Sequence, residues 1–221
     1  LNDLQAAGQS TVIMAVDDQV QLMFGIADTI RPEVKASLAA LKAQGIKRTV
    51  MLTGDNQLTA AAVAAELDLD EVHANLLPEE KVAYVKQLKA SGKTVAFIGD
   101  GINDSPSIAN ADIGIAMGSG TDVAIDTSDV VLMQSSFPAL VHAHGLAKQT
   151  VLNTRENIFI AIATVVFLLI GLIFGYIYMA SGMFVHEASI LVVIFNAMRL
   201  INFQTHFDKQ SRATIKTSVT A

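Results

Sequence analysis

The feature that most constrains the fold of this chain is a long stretch without charged side chains. Residues 157–185 contain no Asp, Glu, Lys or Arg. As a helix, the run from Ile158 to Met179 would be ~33 Å long at ~1.5 Å per residue, which matches a bilayer core of ~30 Å. Buried helices of soluble proteins seldom stay uncharged over this length. The sequence therefore predicts a membrane span rather than a core helix.

A second apolar stretch, Met183 to Phe203, follows a break at Ala180-Ser181-Gly182 and predicts a second span that returns across the bilayer. Basic residues flank the two free ends of this pair: Lys148, Arg155, Arg199, Lys209, Arg212 and Lys216. Because basic flanks stay on the cytoplasmic side, we expect a multi-pass protein of the cell membrane. Its soluble part would be cytoplasmic, the turn at 181–182 would face outward, and residues 206–221 would form a polar tail.

Composition narrows the function classes. Charged residues make up only 16% of the 221-residue chain and hydrophobic residues 52%, which excludes a disordered chain and argues against a simple soluble enzyme. Residues 1–155 contain 18 acidic and 11 basic side chains, so we expect no nucleic-acid partner. The chain has no cysteine, which excludes disulfides, thiolate ligands and a thiol nucleophile within it.

The soluble part alternates short apolar runs with helical patterns. The predicted strands are Lys47–Leu52, Thr94–Gly99, Ile113–Met117 and Val130–Met133, and the predicted helices are Pro32–Ala43, Leu58–Leu67 and Pro78–Ala90. This alternation indicates an α/β fold with a doubly wound parallel sheet. A hairpin is predicted around Asp17-Asp18, and a long helix over 137–156 would lead into the membrane.

Two predicted strands end in glycine and aspartate. One is followed by Thr53-Gly54-Asp55, and the other runs into Gly99-Asp100-Gly101-Ile102-Asn103-Asp104. The carboxyl ends of parallel strands meet at one edge of a sheet, where carboxylates suit Mg²⁺ and the Thr53 hydroxyl suits a phosphate. Lys81, early in a predicted helix, offers a positive charge to the same phosphate. The alternative is two Asp-Gly turns and a surface lysine; the combination favours phosphate chemistry.

Together these strings, with Pro78-Glu79-Glu80-Lys81, resemble the phosphorylation domain of P-type ATPases, which share the haloacid dehalogenase fold. The segments 27–32 and 109–118 continue the resemblance. Two spans after that domain resemble the heavy-metal branch of the family. We therefore expect residues 1–25 to end a nucleotide-binding domain, 26–150 to form a haloacid-dehalogenase-like phosphorylation domain, and 151–205 to form a transmembrane hairpin.

The resemblance implies ATP and Mg²⁺ as cofactors. It implies that the catalytic residues are Thr53, Asp55, Lys81 and Asn103. Of these, Thr53 and Asp55 would also lie near the nucleotide, together with Gly54. Asp100 and Asp104 would be the Mg²⁺ ligands. The reaction would transfer the γ-phosphoryl group of ATP to an aspartate and then hydrolyse it.

The chain departs from the family at the nucleophile. The family's Asp-Lys-Thr-Gly-Thr string is absent, and neither Asp17-Asp18 nor Asp28 has the right continuation. We therefore expect the chain to be part of a longer pump and unable to form a phosphoenzyme alone. The alternatives are a membrane-tethered phosphatase of the same superfamily, which would need an Asp-x-Asp motif after an early strand, where none is present, and an inert or regulatory fragment.

The predicted cargo site lies in the second span. His186 and Glu187 occupy the place where a divalent-metal subgroup of the family carries His-Glu-Gly, although Ala188 replaces the glycine. Imidazole and carboxylate suit borderline divalent ions, whereas copper(I) prefers sulfur. The sequence thus predicts an efflux pump of the zinc, cadmium or cobalt type, with the bilayer, a divalent transition-metal ion and the other domains of the pump as partners. The alternative is that both side chains merely cap a helix.

Overall fold

The structure, a computed structural model, describes residues 10–26, 30–99, 102–118, 125–134 and 136–205. The chain divides into two compact units, Leu1–Leu140 and Val141–Ala221. The first holds the strands and short helices, and the second holds most of two long apolar helices.

The first unit begins with the predicted hairpin. Strands β1 (Ser10–Val16) and β2 (Gln19–Ile26) pair antiparallel, with Val16 opposite Gln19. The two connecting residues, Asp17 and Asp18, have φ values of 50° and 60°. Such left-handed pairs form the two-residue turns whose twist matches that of the flanking strands.

Two parallel sheets follow. Strand β3 (Val50–Leu52) pairs with β4 (Glu71–His73), and β5 (Ala96–Gly99) pairs with β6 (Ile113–Met117), which pairs with β7 (Val130–Leu132). The helices between them are α1 (Glu33–Ala43), α2 (Gln57–Leu67), α3 (Pro78–Ala90) and α4 (Ser105–Asn110). This confirms the predicted α/β class with parallel strands. The five described parallel strands, however, form two separate sheets rather than one.

The core of this unit lies between helices α3 and α4 and strand β6. Val85 and Ile108 are each 1% exposed, and Ala116 is fully buried. Burying an aliphatic side chain of this size contributes ~1.5–3 kcal/mol. This packing ties α3, which carries Lys81, to α4, which follows the Gly-Asp loop.

Asp70 stabilises the start of the parallel sheet formed by β3 and β4. Its carboxylate accepts hydrogen bonds from the Thr49 backbone N–H at 2.7 Å and from the Thr49 hydroxyl at 2.8 Å, and it pairs with Lys42 at 3.0 Å. These bonds, the Thr49 backbone bond first among them, lower the pKa of Asp70 to about 2. The carboxylate holds β3 beside β4, a strand that the sequence analysis did not predict.

Asp112 fastens the second sheet in the same way. One carboxylate oxygen accepts from the Val95 N–H at 2.8 Å, and the other lies 3.2 Å from the Lys89 ammonium. The Val95 bond, and secondly Lys89, lower the pKa of Asp112. The end of α3, the start of β5 and the start of β6 are thereby held together.

The second unit is a helical hairpin. Helix α5 runs from Phe137 to Ile173, beginning in the first unit, and α6 runs from Met179 to Met198. Both are long and apolar enough to cross a membrane, and neither buries its apolar stretch inside the protein. A helix that exposes large apolar side chains all around suits lipid rather than water.

The turn of this hairpin lies earlier than predicted. The sequence predicts a first span that ends at Met179 and a break at 180–182, but the chain turns at Gly175, whose φ is +73°, and α6 has begun by Met179. The Ser181 hydroxyl accepts from the Tyr178 N–H at 3.0 Å. Ser181 therefore caps the start of α6 rather than ending a loop, which corrects the predicted boundary.

Candidate active site

The first candidate feature is the loop after β3. The Thr53 N–H donates to the His73 carbonyl, and the Leu76 N–H donates to the Thr53 carbonyl, both at 3.0 Å. These backbone bonds hold Thr53 between the ends of β3 and β4. Because these bonds involve only backbone atoms, no residue type in the sequence indicates them. The contributions of His73 and Leu76 were therefore not predicted.

The same loop orients the Thr53 hydroxyl. It donates to the Asp55 carboxylate at 2.9 Å and accepts from the Asp55 N–H at 3.1 Å. Thr53 is half-buried, whereas Gly54 and Asp55 are exposed. The next residue, Asn56, caps α2 by accepting from two N–H groups of its first turn. The loop thus presents a fixed hydroxyl beside an exposed glycine, a surface that a phosphate or nucleotide can reach.

The second candidate feature is an ion pair. The Lys81 ammonium lies 2.8 Å from the Asp104 carboxylate, and the two side chains are only 13% and 21% exposed. Lys81 stands in the first turn of α3, which opens with Pro78 and whose Glu80 carboxylate accepts from the Leu77 N–H at 2.8 Å. Charge-assisted bonds of this kind are short and strong. The pair places a positive charge and a carboxylate together at a position where both are largely shielded from solvent.

Gly99 allows this pair to form beside the end of β5. A Cβ atom on Gly99 would lie 2.7 Å from the Asp104 Cβ and 3.0 Å from its Oδ2. Only a residue without a side chain permits so close an approach of the strand to the aspartate. Asn103 is exposed in the same short helical turn, Ile102–Asp104. The predicted ligand Asp100 lies outside the described residues.

The predicted cargo ligands lie on α6. The His186 Nδ1 is 3.9 Å from a Glu187 carboxylate oxygen, and both side chains are exposed. In the part of the chain that the structure describes, no group of three or more His, Asp or Glu side chains is close enough to hold a metal ion. These two residues would therefore need further ligands to complete a metal site.

Comparison with known proteins connects this geometry to a family. Residues 2–112 match the haloacid dehalogenase-like hydrolases. A crystal structure of a zinc-transporting PIB-type ATPase in its E2.Pi state superimposes with a TM-score of 0.80 and 40% identity over 91% of this chain. The chain belongs to the P-type ATPases of the haloacid dehalogenase-like family. It corresponds to the C-terminal portion of a heavy-metal-transporting, PIB-type member.

The relatives of this P-type ATPase chain differ in the metal they are named for. A copper-transporting ATPase of Rhizobium meliloti is 38% identical over 89% of the chain, and a zinc-transporting ATPase of Bacillus subtilis is 39% identical over 90%. The chain spans 24% and 31% of the lengths of these two relatives and 33% of the solved zinc-transporting ATPase. The comparisons thus leave the transported metal open.

The family implies ATP and Mg²⁺, and the described residues fit both. Asp104 supplies a hard oxygen ligand of the type that Mg²⁺ prefers, in a half-buried position next to Lys81. The hydroxyl of Thr53 is held in one orientation beside exposed backbone. Bound there, Mg²⁺ would neutralise charge on the transferred phosphoryl group.

Proposed function

We propose that this chain is the C-terminal part of an ATP-driven efflux pump for a divalent transition-metal ion of the zinc, cadmium or cobalt type. The observation that supports this most directly is the partly buried contact between Lys81 and Asp104 at the end of β5. Such a pair suits a site that receives a phosphoryl group together with Mg²⁺. The accepting aspartate would come from another part of the pump.

Within this site each side chain has a separate task. Thr53 donates a hydrogen bond to a phosphoryl oxygen, with Asp55 holding the hydroxyl in place. Lys81 neutralises the negative charge that develops during transfer. Asp104 and Asp100 hold Mg²⁺, and Asn103 contacts the phosphoryl group beside them. Gly54 and Asp55 lie against the nucleotide. These tasks consist mainly of positioning and charge neutralisation, which dominate phosphoryl transfer.

The cargo would bind in the membrane on α6. His186 and Glu187 provide one nitrogen and one carboxylate donor near the outer end of the hairpin. Carboxylates in membrane spans are costly and usually serve a transport path. The remaining ligands would come from other helices of the pump. The basic residues Lys148 and Arg155 precede the uncharged stretch of α5, and Arg199 follows α6, so we propose a cell-membrane protein whose soluble unit is cytoplasmic.

The soluble site is tested by phosphorylating the complete pump with radiolabelled ATP. Lys81→Met should lower phosphoenzyme formation at least ~100-fold, because one preorganised charge contributes ~2.7–4 kcal/mol to transition-state binding. Lys86→Met is the matched control, since Lys86 is an exposed lysine on the same helix and should leave phosphorylation unchanged. Equal phosphorylation of both variants and the wild type would contradict the assignment of Lys81.

The cargo site is tested by ATP hydrolysis of the same pump against a panel of divalent metals. Glu187→Ala should remove the stimulation by metal. Thr164→Ala is the control, since the Thr164 hydroxyl bonds only to the Ile160 carbonyl of its own helix. Metal stimulation that survives in Glu187→Ala would move the cargo site elsewhere. A wild type that hydrolyses phosphate monoesters without responding to any metal would instead favour the phosphatase alternative, and no activity at all would favour the inert fragment.

A further inference from the structure

A group of polar side chains joins the two helices of the hairpin at its open end, where neither the proposed phosphoryl site nor the proposed cargo site lies. We name this group the polar clasp. It consists of Asn153, Glu156 and Asn157 on α5 and Asn196 and Arg199 at the end of α6. The three α5 residues are spaced three and four apart, so they share one face of the helix.

Asn196 is the centre of the polar clasp. Its backbone carbonyl accepts from the Asn153 side-chain amide at 2.9 Å. Its own amide nitrogen donates to Asn157 at 2.9 Å and to Glu156 at 3.2 Å. Its side-chain oxygen accepts from Arg199 at 2.8 Å. An asparagine side-chain amide has two N–H donors, which matches the two bonds that the Asn196 nitrogen donates. The side-chain oxygen and the backbone carbonyl of Asn196 each have a partner as well.

The other members of the polar clasp complete the network. Asn157 donates to the Asn153 side-chain oxygen at 3.1 Å, and Arg199 lies 3.5 Å from the Glu156 carboxylate. Asn153 is only 3% exposed although it is polar and stands on a helix with a largely exposed surface. A buried amide whose nitrogen and oxygen both have hydrogen-bond partners rigidifies its surroundings and specifies one arrangement.

Other polar side chains on α5 behave differently. The hydroxyls of Thr150, Thr154 and Thr164 each donate to the carbonyl four residues earlier in the same helix. They do not reach α6. The polar clasp is therefore a specific interhelical contact rather than the general behaviour of polar residues on this helix.

The polar clasp can set the rotation and register of α6 against α5, which apolar packing alone does not determine. Lipid tails are as apolar as the helix surfaces, so the hydrophobic effect does not set how two spans face each other. A single buried asparagine can set the register of paired helices. A slip of α6 by one residue would move it ~1.5 Å and turn it ~100°, which would carry His186 and Glu187 to a different face.

We propose that the polar clasp is a positioning element for transport. It holds α6 at one rotation and register against α5, so that displacement of α5 is passed to the helix carrying His186 and Glu187. Helix α5 is continuous from Phe137 to Ile173, and the turn at 174–178 links the helices at the opposite end. This inference rests on the proposed function, because it assumes that α6 carries the cargo ligands.

The test uses the complete pump in membrane vesicles and compares Asn196→Ala with Thr154→Ala. We expect Asn196→Ala to raise the KM for metal in ATP hydrolysis about tenfold, as the loss of one or two interhelical hydrogen bonds would do. Phosphorylation by inorganic phosphate without metal should stay within about twofold of the wild type, because the soluble site is not altered. Thr154→Ala, which lies one helical turn after Thr150 and bonds only within α5, should match the wild type in both assays.

Exchanging the charges of Glu156 and Arg199 distinguishes a positioning role of this ion pair from a general loss of folding. Glu156→Arg and Arg199→Glu should each raise the KM for metal, and the double exchange should restore it at least in part, because the two groups would again attract each other. A wild type without metal-stimulated hydrolysis overturns the proposed function, and the role of the clasp with it. A metal-stimulated wild type whose Asn196→Ala variant has an unchanged KM overturns the clasp alone, as does failure of the double exchange to restore a raised KM.

Discussion

Replacing Gly99 by alanine tests the close approach on which the proposed phosphoryl site depends. The added Cβ would lie 2.7 Å from the Asp104 Cβ. That atom is the first of its side chain, so a rotation of the carboxylate cannot relieve the contact. The backbone of β5 or of the following turn must shift, and the bond between Asp104 and Lys81 must lengthen or break.

The magnitude follows from two effects. Overpacking of this kind costs ~1–3 kcal/mol. Weakening of the charge-assisted bond to Lys81, whose partners are 13% and 21% exposed, adds a cost that solvent reduces to about 1 kcal/mol. We therefore expect Gly99→Ala to destabilise the soluble unit by ~2–4 kcal/mol, which lowers the urea midpoint by ~1–2 M at the slopes typical of small domains.

The assay is urea unfolding of the 221-residue chain in detergent, followed by pulse proteolysis because the chain has no tryptophan. Gly54→Ala is the matched control. Its Cβ would meet only the Leu76 carbonyl at 3.5 Å, an ordinary contact, so we expect a change of at most ~0.5 kcal/mol. The reasoning is refuted if Gly99→Ala unfolds at the wild-type midpoint, or if Gly54→Ala loses as much stability as Gly99→Ala.

Two further changes test the scaffold. Asp70, whose pKa is lowered to about 2 chiefly by the Thr49 backbone N–H, stabilises the folded state fully above its unfolded pKa of ~3.9 and loses this effect as the pH falls towards about 2. Asp70→Asn should therefore make the decline of Tm between about pH 4 and about pH 2 shallower, and an unchanged slope would contradict the assignment. In the hairpin, Gly171→Ala would bring a Cβ to 2.3 Å from the Ile177 side chain, whereas Gly182→Ala would approach it only to 3.4 Å. Unfolding in increasing detergent should show Gly171→Ala as the less stable variant, and equal stabilities would disprove this packing.

The parts of the fold that the sequence predicted are those where local signals agree. Helix α3 was predicted and found at Pro78–Ala90, because proline suits the first helical turn. The sequence also predicted Lys81 and Asp104 at one phosphate and Mg²⁺ site, Asp104 because it follows the end of a strand and Lys81 because it offers a positive charge early in a helix. The two side chains lie 2.8 Å apart, while the catalytic roles of the two residues stay predictions.

The parts that the sequence missed depend on contacts between distant segments. Strand β4 has only three residues, two of them polar, and forms because the Asp70 carboxylate bonds to Thr49 across the sheet. Helix α4 is six residues long and contains Pro106, so its helical pattern is too short to detect. The contacts of Asn153 with α6 join residues 43 positions apart, and no local periodicity encodes such a pairing.

The identity of the cargo depends on few atoms rather than on overall similarity. Relatives named for copper and for zinc transport share 38% and 39% identity with the chain, so the common fold serves both metals. Copper(I) and zinc differ in ligand preference, the first favouring sulfur and the second accepting imidazole and carboxylate. On α6 the proposed cargo ligands are His186 and Glu187, which offer nitrogen and oxygen. Under the proposed function, a helix held in one register presents these donors to one side, so we expect Asn196→Ala to reduce the ratio of the KM values for different metals in ATP hydrolysis before it abolishes metal stimulation.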